Sequence, residues 1–338
     1  MTAQNQNLNF LWLELTNKCN LSCQHCYADS SPKIPLYSKM KYEDWCSAIK
    51  QAYEMNCTAI QFIGGEPTIY PKLNELIEYS NSIGVNFIEV YTNGISIKNE
   101  QFETFKKYNV SLAFSFYSHI SENHDKVTNL KGSQLRTLVS IERARELGLN
   151  IRVGIIETEH NKNEIQETYT YVKNLGIKNV GIDWNRGIGR GDGDEKKEDP
   201  YSQLCGNCSK GKLAITPDGD IYPCVFSRFA KVGNFAEGIY SAYNGKELTD
   251  FKTLLETKYF TNCTPSVEIK DNTFFNNCSP DNCIPDGCKP DECHPDIYCK
   301  PDCSPNDSCS PDCSPNCSPN CSPYCNPNCN PFDGCKPK

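Results

Sequence analysis

No stretch of this 338-residue chain approaches the ~18 consecutive apolar residues of a membrane-spanning helix. The opening residues, Met1 to Asn7, lack a basic segment followed by an apolar run, so no secretory signal is expected. Positive charge is not in excess: 34 Lys and Arg stand against 42 Asp and Glu, a net −8, so nothing in the charge suggests a nucleic-acid surface, and no nucleic-acid partner is expected. Apolar residues make up only 38% of the chain, and they are thinnest in its C-terminal stretch. That stretch lacks the apolar content to build a core of its own.

Cysteine is what the chain has in excess, with 22 residues. A count this high means either a secreted disulfide scaffold or a metal protein of a reducing compartment. Without a secretory signal the second reading is favoured, and a cytoplasmic protein is expected.

Residues 10–184 alternate between short β-branched runs and longer amphipathic segments. The runs 10–16, 58–63, 86–92, 110–117, 150–157 and 179–184 read as strands. Helical patterns lie near 42–55, 71–83, 100–108, 133–147 and 162–175, and Gly84, Gly148 and Gly176 sit where helix C-terminal glycines belong. This alternation implies right-handed βαβ units and a parallel sheet. Six such strands suit either a partial barrel or an open doubly wound sheet.

Residues 187–200 are glycine-rich, then charged, then closed by Pro200, which marks a boundary. A second unit over 201–270 contains a hairpin turning at Pro217-Asp218-Gly219-Asp220. From 271 the chain repeats: Cys278, Cys283, Cys288 and Cys293 are five apart, and Cys309 to Cys329 recur every four, each group laced with proline. Proline at this density excludes regular helix and interior strand. Disorder is expected there unless a metal or cross-links organise it.

Three cysteines, Cys19, Cys23 and Cys26, fall in eight residues directly after the first strand. Soft thiolates so close together select an iron–sulfur cluster, zinc or copper(I). Four thiolates would close an electron-transfer cluster; three leave one iron open for an exchangeable ligand. The alternative is a zinc site completed from elsewhere, with His25 the nearest candidate.

The C-x3-C-x2-C spacing followed by Tyr27, together with Gly64-Gly65-Glu66-Pro67 after the second strand, resembles the signature of the radical S-adenosylmethionine (SAM) superfamily. The resemblance implies an α/β fold, a partial (β/α)6 TIM-type barrel over 8–191, with a [4Fe–4S] cluster on the three cysteines at its C-terminal rim. It also implies that SAM chelates the open iron and is cleaved to a 5′-deoxyadenosyl radical. Tyr27, Gly64, Gly65, Glu66 and Pro67 would then lie at the cofactor, the glycines permitting close backbone approach and Glu66 accepting from the methionine ammonium. Thr92 and Asn93, Ser115, and Arg186 in the segment Arg186–Gly191 match later strand-end contacts of the family. His124 reads as a structural or surface histidine rather than a catalytic one.

Beyond a linker at 192–200, Cys208 and the run Ile215 to Cys224 look like the opening of the auxiliary-cluster domains called SPASM or twitch. The resemblance makes Cys208 and Cys224 ligands of an additional iron–sulfur cluster, and Cys205 pairs with Cys208 as a further candidate. A structural zinc ribbon, or buried thiols with no metal, are the alternatives. The pattern then departs from the family: only Cys263 and the 271–338 tail follow, so the remaining ligands stay unassigned. Cys46 and Cys57 read as buried small hydrophobes.

The similarity is to enzymes that modify ribosomally made peptides, and it implies a precursor-peptide substrate and an electron donor such as flavodoxin or ferredoxin. A sulfatase-type side-chain maturase, a cofactor-biosynthesis enzyme and a cysteine-rich metal-binding module on a non-catalytic barrel are the alternatives. No domain for gripping a leader peptide is evident before the first strand, so a separate recognition protein is conceivable.

Overall fold

The structure is a computed structural model that describes residues 8–193 and 199–259. Cys263 and the 271–338 repeat, with the ligand and disorder expectations attached to them, lie outside the described residues.

Six strands come first: β1 (Phe10–Glu14), β2 (Ala59–Ile63), β3 (Phe87–Thr92), β4 (Ser111–Ser115), β5 (Ile151–Glu157) and β6 (Asn179–Trp184). Between them run α1 (Tyr42–Glu54), α2 (Leu73–Ser82), α3 (Asn99–Lys107), α4 (Ser121–Thr128), α5 (Ser133–Glu146) and α6 (Ile165–Asn174). The strands pair in parallel and in sequence order, β6-β5-β4-β3-β2-β1. That order decides between the two sheets left open by periodicity. A doubly wound sheet must reverse its order part-way, whereas an unbroken order winds one way and curves into a partial barrel.

Each strand shows one face to the helices and the other to the barrel interior. Leu11, Leu13, Ile60, Phe62, Ile88, Val90, Leu112, Phe114, Val153 and Ile155 form the apolar core with Trp45, Ile49, Leu76, Phe105 and Ile141 of the helices. Each such side chain contributes about 1.5–3 kcal/mol by leaving water. Several of the alternate positions are polar, among them Glu14, Gln61, Glu89 and Arg152. Gln61 donates to Glu89, and Glu89 takes two hydrogen bonds from Arg152 at 2.8 and 2.9 Å, placing a buried polar ladder inside the barrel. A barrel interior lined this way is built to hold polar groups.

The helices end as the glycine pattern suggests: Gly84, Gly148 and Gly176 all have positive φ. Asn56 and Asn109 adopt the same left-handed conformation after α1 and α3, a stop signal that a search for glycine alone does not register. Helix α4 was not among the expected helices. It is short and strongly polar, and it carries His124 inward to a 3.1 Å contact with Ser133 Oγ at the start of α5. His124 is buried there, in agreement with its structural reading.

The strands that follow the expected linker extend the same sheet. β7 (Lys212–Ile215) pairs in parallel with β1, β8 (Asp220–Tyr222) returns antiparallel through the expected turn, and β9 (Gly233–Asn234) completes the edge. α7 (Ile239–Asn244) and α8 (Lys246–Leu254) close this part. β1 therefore has the barrel on one side and the cysteine-bearing hairpin on the other.

Candidate functional site

After β1 the chain turns at Thr16, whose hydroxyl donates to Leu36 O and accepts from Lys18 N–H. The loop that follows carries Cys19 and Cys23, which are buried, and Cys26, which is half-buried. Its N–H groups are aimed at sulfur: Leu21 donates to Cys19 Sγ at 3.3 Å and Ser30 to Cys26 Sγ at 3.4 Å. The Asn93 side-chain amide adds a third donor to Cys19 Sγ at 3.6 Å. Burial pushes the Cys19 thiol up to about 12, with the nearby Glu66 charge adding to it, and pushes Cys23 up as well. Thiols held so far from ionisation become thiolates when a metal ligates them.

Among the described residues no three His, Cys, Asp or Glu side chains converge on one single-ion site. A [4Fe–4S] cube takes each thiolate on a different iron and needs no such convergence. His25 packs its ring edge-on against Tyr117 at 4.8 Å, and burial, helped by Arg190, lowers its pKa to about 4. A loop of three thiols with amide N–H groups on sulfur fits an iron–sulfur cluster.

The Gly64–Pro67 segment meets this loop from the end of β2. A Cβ on Gly65 would lie 2.1 Å from Lys18 O, and one on Gly64 would lie 2.7 Å from Thr16 O. Gly65 N–H donates to Thr16 O at 2.7 Å and Glu66 N–H to Lys18 O at 3.0 Å. The close approach that needs these glycines is to the cysteine loop itself. Pro67 opens the short helical turn that follows, with Glu66 as its cap. The Glu66 carboxylate is 1% exposed and takes Thr68 N–H at 3.0 Å, the Thr68 and Thr92 hydroxyls each at 2.7 Å, and Asn93 N–H at 2.9 Å. Thr92 and Asn93 thus join the same network, and Asn93 carries it on to Asn20 at 2.8 Å and to Cys19. Burial raises the Glu66 pKa against these four donors.

Ser115 ends β4 half-buried and hydrogen-bonds with Tyr117. Arg186 is 4% exposed and is engaged elsewhere. Its guanidinium holds Asp183 through contacts of 2.8 and 2.9 Å, donates to Gln203 O at 2.8 Å, and lies 4.0 Å over the Trp184 ring. It bolts the end of β6 to the segment leading into the hairpin.

Inside the barrel Glu14, 1% exposed, forms an ion pair with Arg228, and Arg228 also lies 5.3 Å from the Tyr27 ring centre. Tyr27 meets Phe226 edge-on at 5.5 Å. Glu14 and Arg228 escaped the sequence reading because their partnership spans more than two hundred residues; the only local signal was an acidic residue at the inward-facing end of an otherwise apolar strand.

The hairpin unit brings its cysteines together. Cys208 Sγ and Cys224 Sγ are 3.1 Å apart, Cys205 interacts with Cys208, and all three line one cavity with Trp12 of β1 and Phe226. Hydrogen bonding to its two neighbours and burial drive the Cys208 thiol well up. Three adjacent thiols in an apolar setting fit an auxiliary iron–sulfur cluster. Cys57 is fully buried and donates to Ala59 O, as expected of a small packing residue, whereas Cys46 is only half-buried, beside the Tyr42 hydroxyl on α1.

Comparison with known proteins supports this architecture. The radical SAM superfamily matches residues 13–180, and the SPASM iron–sulfur cluster-binding domain matches residues 205–266. The chain is 27% identical over 263 residues to the antilisterial bacteriocin subtilosin biosynthesis protein AlbA of Bacillus subtilis (strain 168), covering 68% of this chain and 58% of AlbA. It is also 27% identical to the sporulation killing factor maturation protein SkfB of the same organism, over 48% of this chain and 39% of SkfB. The chain therefore spans less than two thirds of the length of these relatives. Among solved structures, SuiB of Streptococcus suis bound to S-adenosylmethionine superposes with a TM-score of 0.62 at 17% identity, covering 74% of this chain and 68% of SuiB. The cysteine loop, the partial barrel and the thiol-bearing hairpin on its first strand are those of the radical SAM superfamily, to which this chain belongs, with a SPASM domain appended.

Proposed function

We propose that this protein is a radical SAM peptide maturase that modifies a ribosomally made peptide. The observation that carries the reading is the position of β1 between two thiol groups. Its Trp12 lines the cavity of Cys205, Cys208 and Cys224, and its Glu14 pairs with Arg228 beside Tyr27, the residue that follows Cys26. A substrate held in the polar barrel interior would face the cysteine loop and the auxiliary thiols at once.

Cys19, Cys23 and Cys26 would hold the SAM-binding [4Fe–4S] cluster, and Cys205, Cys208 and Cys224 an auxiliary one. When bound there, the first cluster and SAM would supply one-electron chemistry able to abstract a hydrogen atom from the substrate. The protein's own part is orientation and exclusion of water. Glu66 fixes the tip of β3 against the cysteine loop, and the Tyr27–Phe226 pair screens the interior. Tyr27, Gly64, Gly65, Glu66, Pro67, Thr92, Asn93 and Ser115 remain our assignments for the SAM surround. We place Arg186 one step further out, as the bolt that holds it.

The peptide substrate draws support from AlbA, a bacteriocin biosynthesis protein, and SkfB, a killing-factor maturation protein. The AlbA alignment, at 263 residues, also runs beyond the barrel match. A SuiB structure with the precursor peptide SuiA adds a fold-level parallel. We assign a reducing cytoplasmic setting, in which the thiols of both sites stay available to iron, and a flavodoxin or ferredoxin as electron donor.

The test is anaerobic reconstitution followed by reaction with dithionite, SAM and short peptides encoded beside the gene. Mass spectrometry of reactions run in deuterated water should show 5′-deoxyadenosine together with a peptide that has lost hydrogen or taken up deuterium at an inverted centre. Formation of 5′-deoxyadenosine with no peptide altered, and with a small metabolite consumed instead, would overturn the peptide assignment.

A further inference from the structure

The loop of Cys19 to Ser30 is gripped from its far side by the turn after β6. Gly189 has φ +59, and a Cβ there would lie 2.5 Å from Tyr27 O and 2.6 Å from Cys26 O. The next residue, Arg190, engages three carbonyls of the loop. Its backbone N–H donates to Cys26 O at 3.0 Å, its Nε to Cys23 O at 3.0 Å and its Nη2 to Ser30 O at 2.6 Å. Cys23 O and Cys26 O also accept from Cys26 N–H and Asp29 N–H at 3.3 Å, while Leu21 N–H and Ser30 N–H donate to the sulfurs of Cys19 and Cys26. Three carbonyls of the loop are thus turned to a cation and two of its amides to the thiols.

We infer that Arg190 is a positioning residue for the cluster loop, holding its carbonyls away from the metal site and setting a fixed positive charge beside Cys23. The inference rests on the reading that Cys19, Cys23 and Cys26 hold the SAM-binding cluster. A guanidinium suits the task because its planar fork reaches two carbonyls at once, which a lysine ammonium on a flexible stem does not. One consequence follows from elementary electrostatics. A cation near the thiolates stabilises the extra electron of the reduced cluster, so it makes the cluster easier to reduce. Residues beyond the direct ligands commonly change metal affinity or activity by about 10–100-fold.

The experiment uses the full chain, reconstituted without oxygen, as wild type, Arg190→Lys and Arg190→Gln. Iron and sulfide are counted, melting is followed by circular dichroism, and the midpoint potential is taken by electron paramagnetic resonance on the signal that SAM perturbs. That perturbation marks the loop cluster apart from any auxiliary one. At equal iron content, Arg190→Gln is expected to show a more negative midpoint, with Arg190→Lys close to wild type in potential but lower in iron retained under chelator. Loss of iron in Arg190→Gln alone, or in both variants with melting unchanged, also supports the positioning role. An unchanged midpoint and iron retention in Arg190→Gln would overturn it, as would a shift of equal size in Arg190→Lys. Unfolding of both variants would make Arg190 a general fold residue and equally overturn it. Should wild type itself give no SAM-perturbed signal, the cluster reading fails first, and the two failures are told apart.

Discussion

The backbone N–H of Asn93 donates to Glu66 Oε2 at 2.9 Å, joining the turn after β2 to the tip of β3. Through the same two residues the network reaches the cluster loop, since Asn93 also donates to Cys19 Sγ and Glu66 N–H to Lys18 O. The buried carboxylate thus locks two strand ends together, and the Glu66 backbone and the Asn93 side chain tie them to the cysteine loop.

Glu66→Ala should accordingly destabilise the protein and loosen its grip on SAM. Four donors lose their acceptor in a site 1% exposed. Unsatisfied buried donors cost about 1–3 kcal/mol each when water cannot replace the partner, and partial relaxation will hold the net loss to a few kcal/mol. Calorimetric SAM titration and a thermal melt check it; a variant that melts and binds like wild type would show that the network is dispensable.

Gly65→Ala is expected to fail for a different reason. No backbone strain is involved; the new methyl would stand 2.1 Å from Lys18 O. Relief requires the cysteine loop to move, so iron content should drop steeply after reconstitution, with an overpacking cost of about 1–3 kcal/mol in stability. Full iron loading in this variant would mean that the loop is softer than its contacts imply.

The Asp183–Arg186 pair, whose side chains are 0% and 3% exposed, predicts an asymmetric mutational response. Asp183→Ala leaves a buried guanidinium uncompensated and should cost about 3–5 kcal/mol. Asp183→Ala combined with Arg186→Met should recover part of that loss, read by denaturant melts of single and double variants. Equal stability of the two would place the penalty outside the ion pair.

Asp125 supplies a pH signature. Burial alone would raise its pKa, but the N–H groups of Gly132 and Gln134 and the Ser133 hydroxyl outweigh it and hold the carboxyl below its ordinary 3.8. A carboxyl depressed in the folded state contributes stability that is present above about pH 4 and lost as pH falls through the folded value. The gap in melting temperature between wild type and Asp125→Asn should therefore be widest near neutrality and narrow below pH 4. Removal of this acceptor at the start of α5 should cost about 0.5–2 kcal/mol at neutral pH. A gap independent of pH would refute the assignment.

Replacing Cys205, Cys208 and Cys224 together by alanine tests the auxiliary site. The variant should lose part of its iron while still forming 5′-deoxyadenosine from SAM, since the loop of Cys19, Cys23 and Cys26 is untouched. Unchanged iron content would remove these thiols from the ligand set.

Much of this organisation is local and therefore legible in residue order. Alternating apolar runs place every barrel strand to within a residue or two at its start, because a strand buried against helices must repeat its apolar residues with period two. The cysteine spacing and the Gly64–Pro67 segment mark the loop and the turn that meets it, since each is a short contiguous motif. Asn56 and Asn109 show how a local rule is under-read when only glycine is sought.

Other features depend on residues that the chain brings together from far apart. The parallel pairing of β7 with β1, which sets the auxiliary thiols beside Trp12, joins residues about two hundred positions apart and leaves no mark on either strand. Neither does the ion pair of Glu14 with Arg228, nor the hold of Arg190 on the cysteine loop. What the sequence by itself determined is the type of chemistry, through three thiols in eight residues, and the element order of an α/β barrel. Only the tertiary structure decided what each glycine makes room for, which carboxylate ties the rim together and which cation faces the loop, because those depend on contacts that form when the sheet curves and its ends converge.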